Sequence, residues 1–292
     1  MIGIFVLSMI NMVINGFPFL IPYIHILPDV YGALYGLGGA KIVTITAFFC
    51  LFMEVLSGKK SLWLLLAFFN FTFPSYLIAV GAGLAALSVI FIIRDRKVVL
   101  AILPVLLLVA GYAYSRIQGM NFGVMEEYGL HPKILSYLTI SNMFSDNYFS
   151  ALFGCGIGQY SSTPALWSSD YLRDLSSHSI TLLPGMFDSY CHSEYMSPLL
   201  RIFDGNTWAL SSSLNKPYSS ISTILSEYGI VGMVFILIML CRSTFSGAFR
   251  GESVCLILFV FLLWSVELWH DSPWFIFMLT LSVTYKERIL WR

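Results

Sequence analysis

Charge is what this chain has least of. Only 11% of its 292 residues are Asp, Glu, Lys or Arg, against roughly 25% in an ordinary soluble domain. Its 16 acidic and 16 basic side chains cancel, so no concentrated basic surface exists to neutralise phosphates, which excludes a nucleic-acid partner. Cysteine is scarce as well. Five scattered residues without a CxxC exclude a disulfide scaffold, and the absence of any HxxxH or paired ligand spacing leaves no expected metal centre. No basic segment precedes the first apolar run and no small-residue cleavage site follows it. The opening MIGIFVLSMINMVINGF therefore reads as a retained span, not a signal peptide. No internal repeat of the kind transporters carry is visible.

What the chain has in quantity is apolar surface: 58% hydrophobic residues and a mean hydropathy of +0.79. Several runs approach the ~20 residues needed to span a ~30 Å hydrocarbon core. Eight spans are predicted, at 1–24, 38–57, 61–74, 76–93, 98–115, 218–241, 253–269 and 273–285, the third and last being short. Pro74 marks a tight hairpin between the third and fourth. Gly81, Gly83, Ala85 and Ala86 offer a small-residue face for close helix contact. An aromatic content of 16% suits interfacial belts of Trp and Tyr.

Basic residues orient these spans. Lys59–Lys60, Arg94–Arg96–Lys97, Arg242–Arg250 and Lys286–Arg288–Arg292 hold 10 of the 11 basic residues outside the segment 116–217. Eight alternating spans put all four groups on one side, which is the cytoplasmic one if positive charge stays inside. Both termini then face the cytoplasm and 116–217 faces the periplasm. The expected fold is an all-α polytopic membrane protein of about eight transmembrane helices. It divides into spans 1–5 (1–115), one large periplasmic loop of short helices (116–217), and spans 6–8 with a short cytoplasmic tail (218–292).

The large loop concentrates the ionisable chemistry: 8 of the 16 acidic residues, 5 of the 16 basic ones and 3 of the 5 histidines. Aromatic residues interleaved with Ser, Pro and Gly argue for packed interfacial helices rather than a disordered linker. The densest group is Asp170, Arg173, Asp174, His178, Asp188, His192, Glu194, Arg201 and Asp204. Arginine suits bidentate capture of phosphate oxygens, and His or carboxylate neighbours suit proton removal from an attacking hydroxyl; ordinary surface ion pairs are the plain alternative. The GxGxG at Gly154, Gly156 and Gly158 lacks the βαβ unit of a dinucleotide fold, so a glycine-permitted turn is expected. Glu227 lies inside the sixth span, where ionisable groups tend to face a polar cavity, or else at its interfacial edge. Glu267, His270 and Asp271 cap the seventh span on the same side. Cys155 and Cys191 both fall in the large loop, where a disulfide is allowed and two free thiols are the alternative.

The order of these features resembles a known family. A long external loop carries Phe153-Gly-x-Gly-x-Gly-x-Tyr160, and a span follows that begins Pro217-Tyr-Ser-Ser-Ile-Ser-Thr-Ile-Leu-Ser-Glu-Tyr-Gly-Ile-Val-Gly232. Over roughly residues 98–245 this is similar to the O-antigen polymerases and ligases, polytopic glycosyltransferases that act on undecaprenyl-diphosphate-linked sugars. Ligases show a His-Asn or His-Ser pair where this chain has Tyr218-Ser219, so the resemblance implies the polymerase. Polymerases of this kind usually have ten to twelve spans, which implies a naturally short member or one lacking its first spans. The resemblance further implies Arg173 and Arg201 against the lipid diphosphate and His192, His178 or Glu194 as base. It implies substrate contacts from Lys133, Lys216, Tyr218, Glu227 and the three glycines. Implied partners are the undecaprenyl-diphosphate-linked oligosaccharide, the lipid bilayer, and a chain-length regulator and flippase of the same pathway, with no cofactor. The ligase reaction and a flippase or transporter are the alternative readings.

Overall fold

A computed structural model describes residues 39–57, 62–72, 76–94, 130–162, 165, 191–201, 216–244 and 250–290. The spans expected at 1–24 and 98–115, and the Pro74 turn, lie outside them. Helices account for nearly all regular structure there, and no strand occurs among the described residues. In chain order they are α1 (Gly39–Ser57), α2 (Leu62–Thr72), α3 (Leu77–Arg94), α4 (Pro132–Asp146) and α5 (Tyr148–Phe153). A π-helical turn (His192–Met196) runs into α6 (Ser197–Arg201), and α7 (Ser220–Thr244), α8 (Arg250–Val266) and α9 (Pro273–Leu290) follow. Among the described residues one helix is long and apolar enough to cross a membrane, the Ser220–Arg242 part of α7. The helix α9 has 18 residues, longer than its apolar run, because the charged Lys286-Glu287-Arg288 continues the helix after hydrophobicity ends.

The chain forms two compact units. One comprises Met1–Gly119, Ser243–Val260 and Pro273–Arg292, and its core is aromatic. Phe48 of α1 stacks on Phe259 with ring centroids 3.5 Å apart, while Phe49 meets Phe259 edge-on at 5.7 Å and Phe275 at 5.8 Å. Such edge-to-face pairs add about 0.5–1.5 kcal/mol each beyond the area they bury. The expected small-residue contact is real at Gly83: a Cβ there would fall 2.6–2.9 Å from the rings of Phe71 and Phe48. Gly81 would meet nothing within 4 Å. The Trp274 indole N–H donates to Thr46 Oγ1 at 3.0 Å, and Thr46 passes its own proton to the Ile42 carbonyl, so a polar pair sits in this core fully bonded.

The second unit comprises Met120–Arg242 and Phe261–Ser272. Helix α4 starts where Pro132 takes the first turn and His131 caps it, Nδ1 accepting the Lys133 N–H; proline is suited to that position because its missing N–H would have had no partner. Asn147 ends α4 and caps α5, accepting the Phe149 N–H through Oδ1 at 3.0 Å. Gly154 ends α5 with φ +75°. Ile140, Met143, Tyr160, Met196, Leu199 and Leu200 form the core, with Cys155, Cys191 and Tyr218 packed against it.

Candidate functional site

Helix α7 is two helices joined at Gly229, whose φ of +69° and ψ of −172° belong to a region that glycine alone occupies at ease. The break releases carbonyls that would otherwise bond the next turn. Two of them are taken by the glycine turn: Cys155 N–H donates to the Ser226 carbonyl at 2.8 Å and Gly156 N–H to that of Glu227 at 3.1 Å. The approach has no room for side chains. A Cβ on Gly154 would lie 2.3 Å from the Glu227 carbonyl carbon, and one on Gly229 would lie 2.4 Å from the Leu152 carbonyl oxygen. The two glycines face each other as bare backbone.

Glu227 completes the clasp. Its side chain is buried at 1% exposure, and its carboxylate accepts four backbone N–H groups. Gly158 reaches Oε2 at 2.8 Å; Tyr160, Ser161 and Ser162 reach Oε1 at 3.0, 3.0 and 2.9 Å. Positive φ at Gly154, Gly156 and Gly158 turns those amides inward. Bonds to a charged acceptor contribute about 1.5–3 kcal/mol each, so these four are the strongest tie between the loop and α7. Ser161 and Thr223 add a hydroxyl pair at 2.6 Å.

A second corner holds the start of α7. Lys133 of α4 extends Nζ to the carbonyls of Lys216 and Tyr218, both at 3.0 Å, and of Val266 at 2.5 Å. Burial pushes its pKa down to about 7, with Glu267 opposing and Lys216 assisting. Three carbonyl acceptors nevertheless require three N–H donors, which only the ammonium form has, and we read Lys133 as charged. Ser220 is the other hub: its hydroxyl donates to the Glu267 carbonyl at 2.9 Å and accepts from the N–H groups of Trp269 and His270 at 2.6 and 3.1 Å.

His192 lies against the clasp. Nδ1 lies 2.6 Å from the Tyr160 carbonyl oxygen. A carbonyl can only accept, so the proton sits on Nδ1 and the neutral ring keeps its lone pair on Nε2. Burial lowers the pKa, opposed by that carbonyl bond and by Glu227, which keeps the ring neutral near pH 7. Nε2 is buried and has no hydrogen-bond partner, as is the Ser162 hydroxyl. The carbonyl thus orients an imidazole whose acceptor nitrogen is buried and unpartnered.

The residues singled out in the sequence fall unevenly around this centre. Gly154, Gly156, Gly158, Glu227 and His192 meet at the clasp. Lys133, Lys216 and Tyr218 form the second corner, where Lys133 is fully engaged by main-chain carbonyls and the Lys216 ammonium sits 5.9 Å over the Tyr218 ring. Glu194 is exposed on the π-helical turn. Arg201 ends α6, its side chain outside what the structure describes; Arg173 and His178 lie outside the described residues altogether. Cys155 and Cys191 are free thiols. Among the described residues no three of His, Cys, Asp and Glu gather where a metal could sit. Sequence reasoning missed Ser220 and Thr223; the run Ser219–Thr223, with four hydroxyls in five residues at the head of an apolar helix, was the available signal. No family model, no curated protein and no solved structure matches the chain.

Proposed function

We propose that this protein is a polytopic enzyme of the bacterial inner membrane that joins lipid-diphosphate-linked oligosaccharide repeat units on the periplasmic face, an O-antigen polymerase. The observation that carries the reading is the clasp: a polar loop folded through the Glu227 carboxylate onto the head of an apolar helix, with His192 oriented beside it and Nε2 unpartnered. About eight spans, both termini cytoplasmic, give that arrangement its sidedness, as the basic turns require.

In the proposed reaction a hydroxyl of the incoming repeat unit attacks the anomeric carbon of the growing chain. The bond from that carbon to the diphosphate oxygen breaks, and undecaprenyl diphosphate leaves with the electron pair. His192 Nε2 takes the hydroxyl proton, a role that typically contributes about 10²–10⁴-fold. Arg173 and Arg201 neutralise the departing diphosphate, the electrostatic help that usually dominates such transfers. The donor brings its own leaving group, so no nucleotide sugar is consumed. Glu227 positions the loop and takes no proton.

The test is complementation of a polymerase-deficient host, with lipopolysaccharide resolved on a gel. The wild-type chain should restore the ladder, and His192→Asn should collapse it to core plus one repeat. A full ladder from His192→Asn at equal expression would remove the base assignment. A band of core alone when the chain's gene is deleted from its native host would instead point to the ligase or to a flippase.

A further inference from the structure

The two half-buried thiols of the second unit have no part in the reaction above, and the fold brings them together. Cys155 lies between the two glycines of the turn, its N–H fixed to the Ser226 carbonyl. Cys191 immediately precedes His192 and opens the π-helical turn. Both pack against the same apolar core around Tyr160 and Met196. The Cys155 and Cys191 side chains are in hydrogen-bonding contact with each other, and either thiol can be the donor.

We propose that Cys155 and Cys191 are a disulfide-forming pair, closed by exchange with an oxidised dithiol or disulfide donor. The bond ties the glycine turn to the segment bearing His192 and seals residues 156–190, with Arg173 and His178, into a covalent loop. Exchange begins from a thiolate, and the step balances the same way whichever sulfur attacks first. With Cys191 first, its thiolate attacks one sulfur of the donor disulfide, forming a mixed disulfide and releasing the first donor thiolate. Cys155 then loses its proton and attacks the Cys191 sulfur, expelling the second. Two thiols become one disulfide and the donor disulfide becomes two thiols, so hydrogens and electrons balance. Cys50, Cys241 and Cys255 are excluded by position: none is within this core.

This inference needs neither glycan nor lipid donor, so it stands or falls apart from the polymerase reading. The purified full-length protein in detergent is equilibrated with glutathione–glutathione disulfide mixtures of increasing oxidising ratio. It is then acid-quenched, alkylated with a polyethylene-glycol maleimide and peptide-mapped. The expected result is loss of two of the five reactive thiols in a single step, with one cross-linked peptide pair joining 155 to 191. Cys155→Ser and Cys191→Ser should each abolish the cross-link and leave the remaining thiol as a glutathione adduct. Five alkylated thiols at every ratio, or a cross-link joining any other pair, would overturn the proposal.

Discussion

The two halves of α7 could hardly differ more for a single run of helix. Before Gly229, the stretch Ser220–Tyr228 carries three serines, a threonine and a glutamate, all five of them buried. After Gly229, Ile230, Val231, Val234, Phe235, Leu237, Ile238 and Met239 are all exposed, Phe235 at 62%. Inverted relative to a soluble protein, this pattern puts polar groups inside and large apolar ones outside. Gly232, Met233, Ile236 and Leu240 form the one less exposed stripe of the second half, and large apolar side chains cover the rest, the composition of a candidate membrane span. The polar half needs its partners because each buried donor or acceptor must be paired. The contrast teaches that one element can carry two opposite burial patterns, with a glycine break at the change.

The comparison breaks most visibly at Glu227. Glu227→Ala orphans four buried N–H groups at about 1–3 kcal/mol each, so a loss of about 4 kcal/mol or more is expected. Thermal unfolding in detergent measures it, and a loss below about 1 kcal/mol would mean the carboxylate does not hold the loop. Gly229→Ala comes next. It places a side chain in a backbone region costing about 1–3 kcal/mol and forces a Cβ against Leu152, for about 2–6 kcal/mol in all with overpacking. Proteolysis of the 130–162 segment should quicken in parallel.

On the apolar side, Ile238→Lys should cost about 2.5–3.5 kcal/mol of insertion free energy, read as the inserted fraction in a translocon assay. A change within about 0.5 kcal/mol is what an exposed position in water would give, and it would refute the lipid-facing half. Ile238→Ala stabilises or destabilises the clasp by less than about 0.5 kcal/mol on the same reasoning.

The smallest effect is with pH. Burial lowers the pKa values of His131, His192 and His270 below their ordinary 6.5. Between the folded-state value and 6.5 the unfolded chain binds protons that the folded chain does not, so stability is complete above pH 6.5 and falls as pH drops below it. Stability that rises on acidification through this window would contradict the buried neutral imidazoles.

Much of this architecture was legible in the residues. Apolar runs located α1, α2, α3, α7, α8 and α9 to within a few positions, because hydrophobicity and helix share the same boundaries wherever a run ends in Gly or Pro. It failed at the end of α9, where charged residues are good helix formers. The glycine turn was legible from the need for positive φ, and Glu227 from its cost inside a span. What answers that cost was not legible, since the four donors are main-chain amides that any residue carries. Lys133 shows the same limit: its three acceptors come from two distant stretches of backbone, which no spacing records.

The contact between Gly154 and Gly229 has a consequence for how this chain can vary. In most packed pairs a larger residue on one side is accommodated by a smaller one opposite, and related sequences trade volume back and forth. Here both members already lack a side chain, so neither can shrink to receive the other. Random mutagenesis with selection for folded, protease-resistant protein should therefore return glycine at both positions, with no second-site partner able to rescue either loss.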